Sequence, residues 1–390
     1  MVAREVDLVI VGASFAGLIC ARSAALRGLK VTVIESKSDP GARIHTTGIL
    51  VKEAAEEVDT PAKFSRVIHG VRLYSPALKS IDLRAPGYYF LTTDTAGLVR
   101  WLADEARHAG VEIICGRKVE VAQRENGKIA LPQFDIKTRY LVGADGARST
   151  VARLFSLGRN EKFLTGLEIE YQDLPRADPD LLHCFLDTKL ARGYLAWVAP
   201  APGFFQVGLA TNSDAKPDLK AFLNHTETLF GYSSATIKER RSGLIPCGGP
   251  IENYAASNVM LIGDAAGYVS PLTGGGIRLA FRYGRRAGQL IADHLLRHGP
   301  PPEKILATEL PSFTKKRVLR KAMDLGPPNW LYDVMIGTPA MNWFARRVYF
   351  HKRAEPGDSA EAVRIAQAFK SHGCDLIDVS AGQTVPEQKP

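Results

Sequence analysis

The sequence has no hydrophobic run long enough to cross a membrane, although 45% of its 390 residues are hydrophobic. A membrane-spanning helix needs about 18–20 consecutive apolar residues, and no stretch of the chain approaches that length. The first apolar strand follows Met1 within a few residues, so we expect no cleavable signal segment. The composition therefore favours a protein that is soluble or bound peripherally to a membrane.

Cysteine is scarce as well, and its five positions lack the spacing of a metal site. They include no C-x-x-C pair, and their number is odd: Cys20, Cys115, Cys184, Cys247 and Cys374. Scattered cysteines of this kind favour a reducing compartment. We therefore expect no metal site and a cytoplasmic location, with any peripheral membrane contact at the inner face of the membrane.

Charge of one sign does not dominate the chain. Fifty Lys and Arg face 41 Asp and Glu, which gives a net charge of +9. A balance of this size is compatible with a nucleic acid, with an anionic membrane surface, or with neither. No recognised nucleic-acid-binding motif accompanies the charge, so we expect no nucleic-acid partner.

The N-terminal stretch predicts a nucleotide-binding β-α-β unit. The apolar strand Leu8–Val11 enters a glycine turn at Gly12–Gly17, and an alanine-rich helix follows over Leu18–Arg27. Val31–Ile34 is the returning parallel strand, and Glu35 closes it about twenty residues after the turn. An ordinary β-α-β unit without a ligand is the alternative, but turn, helix, strand and acid together favour a dinucleotide site.

Each residue of this unit has a physical role in holding a pyrophosphate. Gly12 permits the tight turn, Gly17 allows close packing of helix on strand, and Ser14 replaces the usual middle glycine. The N–H groups of the helix N-terminus face the phosphates, and Glu35 accepts the ribose hydroxyls but repels a 2′-phosphate. FAD or NAD is therefore favoured over NADP. We assign to the cofactor site Gly12, Ser14, Phe15, Ala16, Gly17 and Glu35.

A second motif near residue 264 specifies the cofactor further. A buried strand at Val259–Ile262 leads into Gly263–Gly267, and a glycine triplet at Gly274–Gly276 opens a long helix at Ile277. The carboxylate of Asp264 suits a ribityl hydroxyl, and a helix N-terminus stabilises the negative charge of a reduced flavin. This chemistry fits a flavin rather than a nicotinamide. A glycine-rich loop that only closes a domain is the alternative.

The order of predicted elements indicates an α/β fold. We expect a Rossmann-like FAD-binding domain built from three sequence segments, with an inserted antiparallel β-sheet substrate domain and a helical C-terminal region. The FAD-binding segments are 1–60, 95–160 and 250–300, the substrate segments are 61–94 and 161–249, and the C-terminal region is 301–390 with a disordered end.

Some local predictions within this arrangement are specific. Arg66–Tyr74 and Ile81–Arg84 alternate apolar and polar residues as two antiparallel strands would, and Val119–Ala122 is predicted to be a strand. Thr95–His108 has the apolar spacing of a helix, with Asp94 as its N-cap.

Three motifs in this order make the chain resemble a known superfamily. Gly12–Gly17, Gly143–Ser149 and Gly263–Ile277 resemble the p-hydroxybenzoate hydroxylase-like FAD superfamily, and within it the geranylgeranyl reductase family. The resemblance covers roughly residues 5 to 300. It implies FAD bound across the Rossmann-like domain, with a β-sheet substrate domain beside the flavin ring.

The resemblance also implies roles for single residues. Glu35 would bind the adenosine ribose, Val119 the adenine through its backbone, and Asp264 the ribityl chain. Asp145 lies in the second pyrophosphate motif with Arg148 beside it. The loop from Arg43 to Thr46 would lie along the flavin or its pyrophosphate. The further cofactor residues are thus Arg43, His45, Thr46, Val119, Asp145, Gly263, Asp264, Pro271, Gly274, Gly275, Gly276 and Ile277.

The substrate strand matches the family only in part. Geranylgeranyl reductases carry Y-x-W-x-F-P, and this chain has Leu195-Ala196-Trp197-Val198-Ala199-Pro200. We take Leu195, Trp197 and Pro200 as the substrate-binding residues, and expect Tyr194 to point to the opposite face. Leu195 also removes the first tryptophan of a flavin-halogenase motif. The catalytic residue is unknown. His45 is a weak candidate for a proton donor, because a lone histidine is more often structural.

These observations support three hypotheses about function. The first is a FAD-dependent reductase that saturates C=C bonds in a prenyl chain of a lipid or quinone. The second is a monooxygenase that hydroxylates an aromatic or polyketide-like substrate, and the third is a flavin-bearing binding or electron-carrier protein. The electron donor is NAD(P)H, bound transiently, or a protein such as ferredoxin.

The C-terminal region combines basic and aromatic residues. Residues 301–353 contain ten Lys and Arg against four Asp and Glu, interleaved with seven Phe, Trp and Tyr. This pattern suits a membrane interface, and Trp343–Phe350 is the stretch that would rest on a bilayer. Aromatic residues that cover the pocket or a domain interface are the alternative. An amphipathic helix is predicted near residues 360–371.

Overall fold

The computed structural model describes residues 3–350. The predicted helix near 360–371 and the predicted disordered end lie outside the described residues. The first strands are β1 (Arg4–Val11), β2 (Val31–Ile34), β3 (Ile49–Val51), β4 (Ser65–Ile68), β5 (Gly70–Tyr74), β6 (Ser80–Leu83), β7 (Phe90–Thr93), β8 (Glu112–Ile114) and β9 (Gln123–Glu125). The later strands are β10 (Lys128–Leu131), β11 (Ile136–Gly143), β12 (Phe163–Tyr171), β13 (Leu181–Phe185), β14 (Ala196–Ala201), β15 (Phe204–Asn212), β16 (Ile237–Pro246), β17 (Ala255–Ala256) and β18 (Val259–Leu261).

Helices lie between and after these strands. The first are α1 (Phe15–Ala25), α2 (Lys52–Ala55), α3 (Thr95–His108), α4 (Thr150–Leu154) and α5 (Leu219–Phe230). The later ones are α6 (Ile277–Arg297), α7 (Pro302–Glu309), α8 (Thr314–Asp324), α9 (Asn329–Met335) and α10 (Pro339–Tyr349). None of the helices between residues 3 and 350 is both long and apolar enough to span a membrane.

The main sheet has the order β17-β18-β11-β1-β2-β8, with the hairpin β9-β10 paired beside β11. From β18 to β8 all neighbouring strands are parallel. The chain order reverses on either side of β1, and ligands bind in the crevice that such a switch point creates at the carboxyl ends of the strands. The topology therefore favours a ligand site at the turn after β1.

Two helices on this sheet pack unusually closely. A Cβ atom on Gly284 of α6 would lie 2.7 Å from the backbone oxygen of Ala16, and one on Gly288 would lie 2.4 Å from that of Cys20. Only glycine fits at these positions, because any side chain would push the helices apart. The ring of Phe281 meets Phe15 edge to face at 5.3 Å. This packing places the N-terminal halves of α1 and α6 side by side.

The second sheet has the order β16-β12-β15-β14-β13-β5-β6. It is antiparallel except for the parallel pair β13 and β5. One face packs under α5, where Phe222 and Phe230 are buried with Val198 and Val207. The other face carries a separate apolar cluster that includes Trp197 and Phe350.

The mixed α/β architecture confirms the predicted fold class, and strands from three sequence segments meet in the main sheet. The domain limits stay a prediction. The helix Thr95–His108 is confirmed, and its cap Asp94 accepts a hydrogen bond of 3.0 Å from the Gly97 N–H.

Other local predictions were wrong. The stretch predicted as one strand from Arg66 to Tyr74 breaks at His69, because β4 joins β3 and β7 in a small third sheet while β5 joins the second sheet. Val119–Ala122 is not a strand. The backbone N–H groups of Glu120 and Val121 donate instead to the side chain of Gln133.

Candidate functional site

The turn after β1 leaves no room for side chains. A Cβ atom on Gly12, whose φ is +106°, would lie 2.3 Å from the Ala144 backbone oxygen, and one on Gly17 would lie 2.0 Å from the Gly12 backbone oxygen. Ser14 occupies the N-cap of α1, is exposed, and makes no side-chain capping bond. Because the glycines carry no side chains, the backbone N–H groups of the turn can approach a phosphate directly. Phe15 and Ala16 are buried behind the turn.

Glu35 reaches the same turn from the end of β2. Its Oε2 accepts a hydrogen bond of 2.7 Å from the Ala13 N–H, and its Oε1 accepts one of 2.9 Å from the Lys37 N–H. The side chain is buried. The predicted ribose ligand is thus fixed in orientation beside the glycine turn.

Asp264 lies at the end of β18, next to the start of α6. Its side chain is accessible to solvent, yet the surrounding protein desolvates the carboxylate and raises its pKa to about 6. Both properties hold for a group at the bottom of a cleft. A Cβ atom on Gly276 would lie 3.2 Å from Asp264 Oδ1, and one on Gly263 would lie 2.8 Å from the Ala16 Cβ. The two predicted cofactor motifs therefore meet in space.

The glycine triplet forms the N-terminus of α6. Gly276 is the N-cap, no side chain caps the helix, and Ile277 is its first residue. Gly274 has a φ of +60° and donates its N–H to the Ser270 backbone oxygen at 3.0 Å. Gly275 is exposed and Pro271 is buried behind the loop. Uncapped N–H groups at a helix N-terminus attract negative charge.

The carboxylate of Asp145 is hydrogen bonded within its own loop. Its carboxylate accepts hydrogen bonds from the Ser149 hydroxyl at 2.6 Å and from the Thr150 and Val151 N–H groups at 2.6 and 3.1 Å. Burial nevertheless raises the pKa of this carboxyl. The residue shapes the loop that lies against Gly12, whose Cβ would be 3.1 Å from the Asp145 Cα.

The segment after β8 lies beside Glu35. The Arg117 N–H donates to the Glu35 backbone oxygen at 3.2 Å, and Val119 is buried two residues further on. The structure thus brings the predicted adenine contact near the predicted ribose contact, although in a loop instead of a strand.

The loop from Arg43 to Gly48 leads into β3 of the small third sheet and contacts the second sheet on its way. Arg43 is exposed with a φ of +46°, and Thr46 is half-buried. His45 is exposed, and its Nδ1 lies 2.8 Å from the Ser242 backbone oxygen in β16. A carbonyl oxygen only accepts, so this bond assigns the ring proton to Nδ1 and leaves Nε2 as the acceptor nitrogen of a neutral imidazole.

The predicted substrate residues do not share one face of β14. Trp197 is buried in the apolar cluster with Cys184 and Ala199, and Leu195 packs against the same cluster. Pro200 is three residues from Trp197, and strand alternation directs it to the other face. Its backbone oxygen accepts a hydrogen bond from the Thr92 hydroxyl. Trp197 and Leu195 are therefore brought together, and Pro200 is not.

Tyr194 lies differently from the prediction. It precedes β14, which begins at Ala196, so strand alternation does not apply to it. Its hydroxyl donates to the Thr273 backbone oxygen at 2.5 Å, and a Cβ atom on Gly274 would lie 3.1 Å from that hydroxyl. Burial raises the pKa of Tyr194 to about 12. The second sheet thus touches the glycine loop through this residue.

A buried polar cluster was missed in the sequence. Glu168 Oε2 accepts hydrogen bonds from the Thr47 hydroxyl at 2.7 Å and from the Trp197 indole N–H at 3.0 Å. Gln206 donates to the Thr47 backbone oxygen at 2.7 Å, and Arg241 lies 3.7 Å from Glu168. The feature of the sequence that could have revealed this cluster is a pair of acids, Glu168 and Glu170, at alternate positions of an apolar strand.

A recess elsewhere on the surface is a weaker candidate for the functional site. It holds about 380 Å³ and is lined by Leu26, Arg27 and Arg297 among others. These residues lie at the C-terminal ends of α1 and α6, opposite the helix N-termini that face the cofactor motifs. The strand-end cleft is the better site, because its glycines and carboxylates converge there.

Residues 5–302 match the model of a protein family described as FAD binding domain. The chain belongs to the FAD-binding domain family. It is similar to the digeranylgeranylglycerophospholipid reductase of Methanocaldococcus jannaschii, at 27% identity over 300 residues that cover 73% of this chain and 76% of the relative. The resemblance to geranylgeranyl reductases is thereby confirmed, and with it the class of FAD-dependent oxidoreductases.

Solved structures show the same fold in other flavoproteins. A geranylgeranyl bacteriochlorophyll reductase-like protein from Thermoplasma acidophilum has a TM-score of 0.77 at 21% identity. The match covers 94% of this chain and 99% of that one. Anhydrotetracycline hydroxylase from Streptomyces rimosus has a TM-score of 0.60 at 20% identity, covering 89% of this chain and 76% of that one. The fold alone is therefore compatible with reduction and with hydroxylation.

The cleft of this FAD-binding family member fits the cofactor. Gly12 and Gly17 allow the backbone of the turn to pack closely at the N-terminus of α1, where N–H groups are available to a phosphate. Glu35 and Asp264 offer carboxylates at opposite sides of that turn for the hydroxyls of a ribose and a ribityl chain. FAD binding is thus supported by the family match and by the chemistry of the donors.

Proposed function

We propose that the protein reduces C=C bonds in a prenyl chain carried by a lipid or quinone. The observation that carries this proposal is the bond from the Tyr194 hydroxyl to the Thr273 backbone oxygen, which places the apolar cluster around Trp197 against the glycine loop of the flavin site. An apolar wall in that position suits a hydrocarbon chain. The relative from Methanocaldococcus jannaschii is named for a digeranylgeranyl glycerophospholipid, which supports this substrate class.

The residues of the site contribute binding and positioning in this proposal. The N-terminus of α1 holds the pyrophosphate, Glu35 the adenosine ribose, Val119 the adenine, and Asp264 the ribityl chain. FAD, when bound and reduced, supplies the hydride for one alkene carbon.

An alkene carries no oxygen for a hydrogen-bond donor to stabilise. The protein must therefore act by orienting the chain and by excluding water. The apolar wall of Leu195 and Trp197 serves both purposes. His45 remains the candidate for delivering the proton to the second carbon. It can do so only in its doubly protonated form, because its Nδ1–H is engaged with Ser242 and the proton to be delivered must be on Nε2.

Product analysis tests the proposal. The FAD-loaded, chemically reduced protein is incubated without oxygen with geranylgeranyl lipids and prenylated quinones, and the products are analysed by mass spectrometry. We expect products that have gained pairs of hydrogen atoms. Gain of an oxygen atom only in air would establish the monooxygenase instead, and oxidation of the flavin without any product would leave an electron carrier. Parallel reactions with NADPH, NADH and reduced ferredoxin identify the electron donor.

Peripheral membrane contact through the C-terminal helices is part of the proposal. Trp330, Trp343 and Phe344 are exposed, and so are Val318 and Leu325. Residues 311–350 contain seven Lys and Arg against two Asp and Glu. Exposed aromatic side chains beside basic ones suit an anionic membrane surface, where a prenyl lipid would be collected.

A further inference from the structure

Within the described residues, the carboxylate of Glu168 accepts hydrogen bonds both from the apolar wall and from the loop Arg43–Gly48, which the family resemblance places along the flavin or its pyrophosphate. The Thr47 hydroxyl, from the loop Arg43–Gly48, and the Trp197 indole both donate to the same oxygen, Oε2. The donors are 121 and 29 residues away from Glu168 along the chain. A single carboxylate oxygen therefore fixes the distance between the loop and strand β14.

A second contact ties the loop to the same sheet. Gln206, on β15, donates from its side chain to the Thr47 backbone oxygen at 2.7 Å. The ring of Trp197 is itself held in place, because a Cβ atom on Gly208 would lie 2.6 Å from its Cζ2. Neither the loop nor the indole can shift without breaking one of these contacts.

The cluster around Glu168 is unusual in its polar atoms. Nine buried side-chain nitrogen and oxygen atoms of the described residues lack a hydrogen-bond partner, and five of them belong to this cluster. Their residues are Glu168, Glu170, Gln206 and Arg241. Four of these five atoms are held in ion pairs between Glu168 or Glu170 and Arg241 or Lys238, and the fifth is the side-chain oxygen of Gln206. The cluster therefore depends on charge pairing in a buried site.

The charges of the cluster explain why Glu168 depends on its two hydrogen-bond donors. Arg241 lies 3.7 Å from Glu168 and 2.5 Å from Glu170, and all three side chains are buried. Two more charged side chains face this cluster. Lys238 lies 3.6 Å from Glu170, and Glu239 lies 3.0 Å from Arg241. One buried cation thus faces two buried carboxylates. Any loss of the Thr47 or Trp197 bond leaves Glu168 still less compensated.

We propose that Glu168 is a positioning residue that couples the binding of FAD to the position of Trp197 in the apolar wall. Binding that orders the loop Arg43–Gly48 fixes Thr47, and Thr47 fixes the indole through Glu168. The coupling is reciprocal, so a change at Trp197 alters the affinity for FAD. The inference rests on the proposed function only in requiring that FAD binds in this cleft.

The experiment follows the Trp197 indole N–H by two-dimensional NMR while FAD is added to the apoprotein. The W197F variant assigns its resonance among those of the four tryptophans. We expect FAD to shift this resonance in the wild-type protein and in T47S, which keeps the hydroxyl. In T47V, which keeps the shape of the side chain but removes the hydroxyl, the shift should fall to less than half. An equal shift in T47V and the wild type would overturn the proposal.

A double-mutant cycle on FAD affinity gives an independent readout. T47V and W197F should each weaken FAD binding about fivefold, a typical coupling between sites, and the double variant should be no weaker than either single variant. Additive effects would contradict the coupling. Because both readouts need no turnover, a protein that binds FAD but reduces no prenyl chain would refute the proposed function and leave this inference standing.

Discussion

The carboxylate of Glu35 is hydrogen bonded to the backbone N–H of Ala13 at 2.7 Å. The bond joins the end of β2 to the glycine turn after β1, so the predicted ribose ligand also supports the turn that is proposed to hold the pyrophosphate. In the proposed site, two contacts with the cofactor therefore depend on one side chain.

Replacing Glu35 should weaken FAD binding more than the loss of one ribose contact would. In E35A the Ala13 N–H loses its partner and the turn loosens, so we expect affinity to fall at least tenfold, or about 1.4 kcal/mol. Calorimetric titration of the apoprotein measures this. E161A, which removes an exposed carboxylate, is the control, and equal affinities in the two variants would contradict the assigned role.

Alanine at Gly17 should abolish FAD binding. Its Cβ atom would lie 2.0 Å from the Gly12 backbone oxygen, and overpacking of this kind costs about 1–3 kcal/mol of folding stability. Thermal unfolding and the flavin absorbance of the purified protein report both effects. Gly166→Ala is the matched control, because the nearest atom to its Cβ is 3.8 Å away. A yellow, fully loaded G17A protein would rule out close contact at the turn.

Affinity for FAD should fall as the pH drops below about 6. The pKa of Asp264 is raised to about 6 by desolvation, and the ionised form is the better acceptor for a ribityl hydroxyl. Binding therefore favours the deprotonated carboxylate, and protons oppose it. Titrations with FAD between pH 5 and 8 measure the effect. D264N should bind more weakly at neutral pH and lack this dependence, whereas an unchanged pH profile in D264N would assign the titration to another group.

Acid should destabilise the fold through His183. Burial lowers its pKa from 6.5 to about 4, and its ring contacts the Tyr74 hydroxyl at 3.1 Å. Because the folded state disfavours the proton, the stabilisation is complete above pH 6.5 and is lost as the pH falls towards 4, by roughly 3 kcal/mol. Urea unfolding at several pH values tests this. H183Q should flatten the dependence, and the exposed H298Q should keep it.

Membrane contact should depend on the exposed aromatic residues of α10. Trp343 and Phe344 are 62% and 43% exposed, and Arg347 lies over the Trp343 ring at 5.3 Å. We expect W343S/F344S to bind anionic phospholipid vesicles several-fold more weakly than the wild type in a flotation assay. Leu296→Ser removes a comparably exposed apolar residue, at 47%, outside this region and should bind normally. Equal binding of all three proteins would exclude this surface.

Much of the cofactor site could be predicted from the sequence because its geometry is local. The glycine spacing in Gly12–Gly17 and the acid at Glu35 lie within one β-α-β unit, whose form is dictated by short-range sterics and strand length. The motif at Gly263–Gly276 is equally local. The two motifs follow the carboxyl ends of β1 and β18, parallel strands on either side of β11, so their meeting in space follows from the topology.

The substrate side was decided by tertiary structure. Whether Tyr194 faces the flavin loop depends on where β14 begins, and the sequence places that start only to within a few residues. The split at His69 depends on which of two sheets each half joins. The bonds of Thr47 and Trp197 to Glu168 depend on the register of strands far apart in the chain. The sequence alone thus determined the cofactor and the fold class, because local turns and helix starts encode them. Only the folded chain decided what lies opposite the flavin, because long-range strand pairing sets which side chains meet there.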